Sequence, residues 1–201
     1  MITIIDYGMG NLRSVSKAVE HLGGRCRFAG KGSDLRNAKR IILPGVGAFG
    51  NAMQELKKRC LILPLMEALE KGTKLLGVCL GLQLFFESSE EAPGIKGLGL
   101  FPGKVLRFRS KKAKIPHMGW NDLVAVKKHP LLNGIRAGDY FYFLHSYYGK
   151  PGIKDLTLAS CRYAGRDFAA VVGNSRIAAT QFHPEKSQDA GLRILSNFLK
   201  W

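Results

Sequence analysis

Short apolar runs alternate with helix-spaced apolar residues through the first half of the chain, and this alternation restricts the fold more than any other feature. Ile2 to Ile5 is one run, closed by Asp6-Tyr7-Gly8. Leu12, Val15, Val19 and Leu22 follow at spacings of three, four and three, which places them on one helical face. Gly23-Gly24 ends that helix. Arg25 to Ala29 and Ile41 to Leu43 read as further strands, the latter stopping at Pro44-Gly45-Val46-Gly47. A helical stretch then carries Met53 and Leu56 and continues through Leu65 to Leu69, with an interruption expected near Pro64. Leu75 to Val78 is another strand, and Leu82 to Glu87 returns to helix. Repeats of this kind build βαβ units around a parallel sheet. In such sheets, functional groups collect beyond the carboxyl ends of the strands, here Gly8, Gly45–Gly47 and Cys79.

The second half has a different texture. Val105 to Arg109 alternates, with Leu106 and Phe108 predicted inward and the arginines outward. Tyr140–Leu144, Leu156–Ser160, Phe168–Val172 and Ile177–Gln181 are strand candidates separated by glycine-containing turns. Leu192, Leu195, Phe198 and Leu199 mark a closing helix. No repeat or low-complexity linker divides the chain, so residues 1–201 read as a single α/β domain. Its architecture is a mostly parallel central sheet flanked by helices, with an antiparallel extension.

The 201 residues carry 31 Lys and Arg against 15 Asp and Glu, a net charge of +16. Residues 101–201 hold +11 of this, with the densest run at Arg107, Arg109, Lys111, Lys112 and Lys114. Such an excess raises nucleic acid as a partner. The run contains only one aromatic, Phe108, and no helix-turn-helix, zinc-finger or stacking motif accompanies it. A solvated hairpin face is the simpler reading, and no specific nucleic-acid binding is expected. No apolar stretch approaches the roughly 20 residues that cross a bilayer, and the first residues lack a signal-peptide pattern. Cys26, Cys60, Cys79 and Cys161 are scattered without metal-type spacing, as suits reduced thiols in a cytoplasmic protein.

Gly77-Val78-Cys79-Leu80-Gly81 follows a strand and precedes a helical segment, the setting of a sharp nucleophile-bearing turn. Glycines suit positions where neighbouring backbone comes close. Cys79 at the turn would sit near a helix N-terminus, which favours its thiolate, and the Leu80 N–H would face an oxyanion. An isolated cysteine between glycines fits a small buried residue equally well. The downstream segment Gln181-Phe182-His183-Pro184-Glu185-Lys186-Ser187 tips the balance. Pro184 biases His183 toward extended backbone, where His183 and Glu185 would project to the same side. A carboxylate there fixes the imidazole tautomer, so Cys79, His183 and Glu185 supply nucleophile, base and orienter. Zinc ligation by the same three residues lacks a fourth ligand and the usual spacing. No metal or cofactor is expected.

With these residues in place, the sequence resembles the class I, triad-type glutamine amidotransferases, and among them the glutaminase subunits of histidine biosynthesis. The likeness runs from Ile5-Asp6-Tyr7-Gly8-Met9-Gly10-Asn11-Leu12 to the C-terminal helix. It includes Pro44-Gly45-Val46-Gly47, Pro116-His117-Met118-Gly119-Trp120-Asn121, Tyr142-Phe143-Leu144-His145-Ser146-Tyr147 and His183-Pro184-Glu185-Lys186-Ser187. The resemblance implies a flavodoxin-like fold and a thioester on Cys79, with His183 as acid and base and Glu185 as its holder. It implies an oxyanion hole from the Leu80 N–H and a peptide N–H of Gly45, Val46 or Gly47. Glutamine would lie against Gly47, Gln83, Glu91, Ser146 and Tyr147. A (β/α)8-barrel cyclase subunit would receive the ammonia in a heterodimer, with Met118, Trp120 and Asn121 at the interface. Val46 is less permissive of a peptide flip than glycine, so the loop is expected to depend on partner and substrate.

His117 and His145 are treated as structural, and His21 and His129 as surface residues. Trp120 would fill the core if it served no interface. A paralogous subunit delivering ammonia to another acceptor, such as a surface sugar, would share all the glutaminase motifs.

Overall fold

The computed structural model describes residues 1–201. The first half builds β1 (Ile2–Ile5), α1 (Leu12–His21), β2 (Cys26–Ala29), β3 (Arg40–Gly45), α2 (Phe49–Lys58), α3 (Ile62–Glu70), β4 (Lys74–Cys79) and α4 (Leu80–Leu84). The Asn11 side chain caps α1 by accepting the Ser14 N–H at 3.3 Å. Gly23, at φ 75°, ends it as the spacing predicts. The long helical stretch is two helices. Its break lies at Cys60–Leu61, where Cys60 takes φ 52°, not at Pro64. Pro64 sits in the first turn of α3, where a missing N–H costs nothing. The segment predicted as helix over Leu82–Glu87 is shifted, with α4 ending at Leu84.

The second half adds β5 (Ser88–Ser89), β6 (Gly103–Arg107), β7 (His117–Val126), β8 (Tyr140–His145), β9 (Tyr147–Pro151), β10 (Thr157–Tyr163), β11 (Arg166–Gly173), β12 (Ile177–Thr180) and α5 (Gln188–Lys200). One nine-stranded sheet has the order β2-β1-β3-β4-β12-β11-β10-β7-β8. Pairing is parallel from β2 to β12 and antiparallel from there to β8. The expected parallel core with an antiparallel extension is therefore present. A second sheet, β5-β6-β9, is not paired with it but packs on it, Tyr148 of β9 meeting Phe168 of β11.

Both faces of the parallel region are buried. Ile2, Ile4, Ile42, Leu76 and Val78 pack with Val15 and Val19 of α1 and with Ile194, Leu195 and Phe198 of α5. Ile5, Ile41, Leu43 and Leu75 pack with Leu56 of α2, Leu65 of α3 and Leu82 of α4. The near-continuous apolar runs of β1, β3 and β4, broken in β1 only by Thr3, follow from this two-sided burial.

Two expectations for the basic region are corrected. Phe108 is buried and Arg107 and Arg109 are exposed as expected, but Val105 is wholly buried while Leu106 is only partly so, because β6 has packing on both faces. The stretch from Arg107 to Lys114 is no hairpin: β6 pairs with β9, and β7 pairs with β8 and β10, so the run crosses between sheets as an irregular connection. His129 is also more than a surface residue. Its Nδ1 accepts the Leu131 N–H at 3.1 Å, and Nε2 lies 3.0 Å from the Asn174 carbonyl.

The register fixes the geometry at the carboxyl ends. Gly45 of β3 lies beside Cys79 of β4, and Thr180 of β12 lies beside Val78. A Cβ on Gly77 would come within 2.7 Å of the Phe85 ring, and one on Gly81 would strike the Leu43 carbonyl oxygen. Replacing Gly81 with Ala should therefore cost about 3 kcal/mol or more, since backbone cannot yield as a side chain can. Urea unfolding checks this, and an unchanged midpoint would refute the close approach.

Candidate active site

Cys79 closes β4 with φ 55° and ψ −105°, a conformation that L-residues seldom hold. Such strain costs about 1–3 kcal/mol and persists only where the surroundings impose it. Here the two glycines just described let α4 start against the Leu43 carbonyl, and that close packing holds the turn. The Leu80 N–H opens α4 beside the thiol. Cys79 Sγ lies 3.8 Å from the Leu144 carbonyl of β8 and 3.9 Å from Gln181 Nε2, which follows β12. A Cβ on Gly45 would meet the Tyr7 hydroxyl at 2.7 Å and Leu80 Cβ at 2.8 Å, so the start of the Gly45–Gly47 loop is pressed against the turn. Tyr7 donates to the Pro44 carbonyl at 2.9 Å and thereby anchors that loop. Val46 is exposed, and Gly47 holds φ 96°.

His183 and Glu185 meet, but not as residues of an extended segment. His183 alone is extended, and Pro184–Lys186 forms a 3-10 turn that swings Glu185 back under the ring. Glu185 Oε1 lies 2.8 Å from His183 Nδ1, with the two side chains 1% and 3% exposed. Glu185 Oε2 is buried without a partner, so its charge is directed at the imidazole. With Nδ1 taken, Nε2 is left for the thiol. Burial draws the His183 pKa down. Hydrogen bonds to Cys79 and Glu185, and their negative charge, outweigh it and push the value up to about 10.

The turn is held by its neighbours. Its His183 N–H donates to the Tyr142 carbonyl of β8 at 3.0 Å. The Ser187 hydroxyl accepts the Tyr142 N–H at 2.9 Å and donates to the His183 carbonyl at 2.6 Å. Ser187, Tyr7 and Gln181 were not singled out by sequence; each acts through buried hydrogen bonds that no local pattern announces.

A cleft of about 320 Å³ opens over the thiol. Gly47, Gln83, Glu91, Ser146 and Tyr147 all line it, together with Cys79, Leu80 and His183. Glu91 is no free loop carboxylate, because its Oε2 accepts the Phe49 N–H at 2.8 Å where α2 begins. The Gln83 Nε2 is committed to the Tyr147 carbonyl at 3.0 Å and Gln181 Oε1 at 3.3 Å, leaving its oxygen for a ligand. Met118 and Trp120 stand 61% and 46% exposed on β7, so Trp120 fills no core. Asn121 parts company with them. Its amide turns inward to His117 and to the Arg162 carbonyl. No group of His, Cys, Asp and Glu side chains is arranged to hold a metal ion.

A protonated His183 can hand a proton to a leaving amine, and loses that ability as pH rises through about 10. Removing the Glu185 charge takes away one of the influences that raise its pKa. In Glu185→Gln, the alkaline limb of the kcat/KM profile should move acidward by about one unit or more. A limb that stays in place would separate Glu185 from the function of His183.

Known proteins share the sequence and the fold of this chain. The family described as glutamine amidotransferase class-I matches residues 3–201. The chain is 44% identical to imidazole glycerol phosphate synthase subunit HisH of Chlorobaculum tepidum, over the full length of both. It is 50% identical to that subunit of Geobacillus kaustophilus, over 99% of this chain and 96% of the relative. For Methanosarcina acetivorans the values are 49%, 99% and 98%. A crystal structure of a glutamine amidotransferase shares the fold at TM-score 0.78 and 20% identity, covering 100% of this chain and 98% of the other. PurLQS from Thermotoga maritima does so at TM-score 0.78 and 19% identity, over 99% and 97%. The chain belongs to the class-I glutamine amidotransferase family, and within it is similar from end to end to the HisH subunits.

Proposed function

We propose that this chain is the glutaminase subunit of imidazole glycerol phosphate synthase. In this role it releases ammonia from glutamine for a (β/α)8 cyclase subunit, which forms imidazole glycerol phosphate and AICAR in histidine biosynthesis. The observation that carries the catalytic reading is Cys79, held strained at a strand–helix turn beside the buried His183–Glu185 pair. End-to-end likeness to HisH subunits supports the pathway over a paralogous acceptor.

In the reaction, the Cys79 sulfur attacks the side-chain amide carbon of glutamine. Negative charge moves to the amide oxygen and meets the Leu80 N–H, with a second N–H from the Gly45–Gly47 loop. His183 gives its proton to the nitrogen, ammonia leaves, and a thioester remains. His183 then takes a proton from water, which attacks the thioester and frees glutamate and the thiol. Glu185 holds the ring and stabilises its charged form. The amino-acid end of glutamine lies toward Glu91 and Ser146–Tyr147: the carboxylate of Glu91 suits the ammonium, and hydroxyls and N–H groups suit the carboxylate. Turning a loop peptide toward the oxyanion needs rotation beside Val46, which the partner and substrate drive.

Residues 1–201 act as one amidotransferase domain in the cytoplasm; no helix is long and apolar enough to cross a membrane. The cyclase covers exposed Met118 and Trp120, an aromatic anchor of the type that dominates interfaces. Asn121 supports that strand from within. The nearby basic connection faces acidic groups of the partner.

In complex with the cyclase, Cys79→Ala should abolish glutamine-dependent synthesis and preserve the ammonia-driven reaction. Residual glutamine turnover would overturn the nucleophile, and a competent cyclase forming no imidazole glycerol phosphate would overturn the pathway. Replacing Lys111 and Lys112 together with Glu should slow association by about tenfold at low salt, measured by stopped flow. Unchanged rates would remove the charge from docking.

A further inference from the structure

A chain of polar groups, half-buried at Asn121 and buried at His117 and His145, runs from β7 to the wall of the cleft, and the triad chemistry uses none of it. Asn121 Oδ1 accepts the Asp122 N–H at 2.9 Å, while Nδ2 donates to the Arg162 carbonyl at 3.0 Å. These two bonds fix the amide, so Nδ2 is also the donor toward His117 Nε2 at 3.2 Å. In a neutral ring, His117 then carries its proton on Nδ1, which lies 3.0 Å from His145 Nε2. His145 Nε2 must accept, so His145 carries its proton on Nδ1 and donates to the Tyr147 carbonyl at 2.7 Å. Every link is satisfied by one tautomer of each ring.

The surroundings enforce this state. Both histidines are buried. Burial pushes the His117 pKa down to about 4 and that of His145 to about 3, so neither is charged at neutral pH. Phe143 stacks on the His117 ring at 4.7 Å and Tyr163 at 3.9 Å, both tilted by 21°, which blocks rotation of the ring. At the far end, the Tyr147 carbonyl also takes the Gln83 amide, and the Ser146 carbonyl takes the Phe108 N–H at 3.0 Å. The Ser146–Tyr147 backbone is therefore gripped at both carbonyls, and His145 itself lines the cleft.

We propose that His117, acting through His145, is a positioning residue for glutamine: the one-way relay Asn121–His117–His145 sets the orientation of the Ser146–Tyr147 wall. The proposal rests on the reading of the cleft as a glutamine site. It assigns the relay to substrate binding and leaves the bond-breaking steps to the triad.

Asn121→Asp is the discriminating variant. A carboxylate in place of the Asn121 amide accepts from His117 Nε2, which reverses both tautomers and sets an unprotonated His145 Nδ1 against the Tyr147 carbonyl. Histidine 15N NMR should show Nδ1–H tautomers for His117 and His145 in the parent and Nε2–H tautomers in the variant. In the cyclase complex, the KM for glutamine should rise about tenfold with kcat within about threefold, while ammonia-dependent synthesis is unchanged. His117→Phe, which keeps the aromatic stack and deletes the relay, should raise KM likewise with no change in the alkaline limb. An unchanged KM in both variants overturns the proposal, as does a rise in KM without tautomer reversal in Asn121→Asp. A parent complex without glutaminase activity would refute the function instead, and the NMR tautomers would still report on the relay.

Discussion

Backbone crowding at the carboxyl end of β4 is the constraint on which the site depends. With no side chain on Gly77 or Gly81, α4 can start against the Leu43 carbonyl, and Cys79 is forced into left-handed backbone. The adjoining strands do the rest. Parallel pairing puts Gly45 on one side of the thiol and delivers Gln181 and His183 on the other. Three strands far apart in sequence thus converge on one sulfur, as parallel sheets permit at their carboxyl ends. The cost in strain is carried by the buried apolar layers on both faces of the sheet.

The antiparallel half has a complementary task. Leu144 of β8 supplies a carbonyl beside the thiol, and Tyr142 of the same strand holds the turn that bears His183. The same strand pairs with β7, Tyr142 lying opposite Trp120. The exposed face of this ribbon and the cleft are therefore two sides of one hydrogen-bonded unit, without an intervening flexible loop.

Legibility from sequence followed the physics of burial. β1, β3, β4 and α1 were readable because apolar residues fill most positions that face the core, with Thr3 and Ser16 as buried exceptions. The Cys79 turn was readable because glycines permit close backbone approach, and the extended His183 because proline restricts the residue before it. β7, the longest strand, was not, because its inward positions include His117, Gly119 and Asn121 in place of apolar residues. Those polar groups satisfy one another only after folding, so no hydrophobic period marks them. β9 was hidden for a related reason, being a five-residue strand with Gly149 and Pro151. Pro64 misled in the opposite sense, since a proline in a first turn accompanies a helix start as readily as a break. The contact between His183 and Glu185 was correctly expected, but the 3-10 turn makes it, not an extended segment.

The turn bearing His183 and Ser187 also occupies the free side of β8, the last strand of the nine-stranded sheet, where it takes up the Tyr142 N–H and carbonyl. An open strand edge offers such groups to any passing chain and invites self-association. Here the shield is the turn that carries His183. The hydrogen bonds that place His183 therefore also close this edge, and a chain that loosens the turn uncovers a place where a second chain can add a strand.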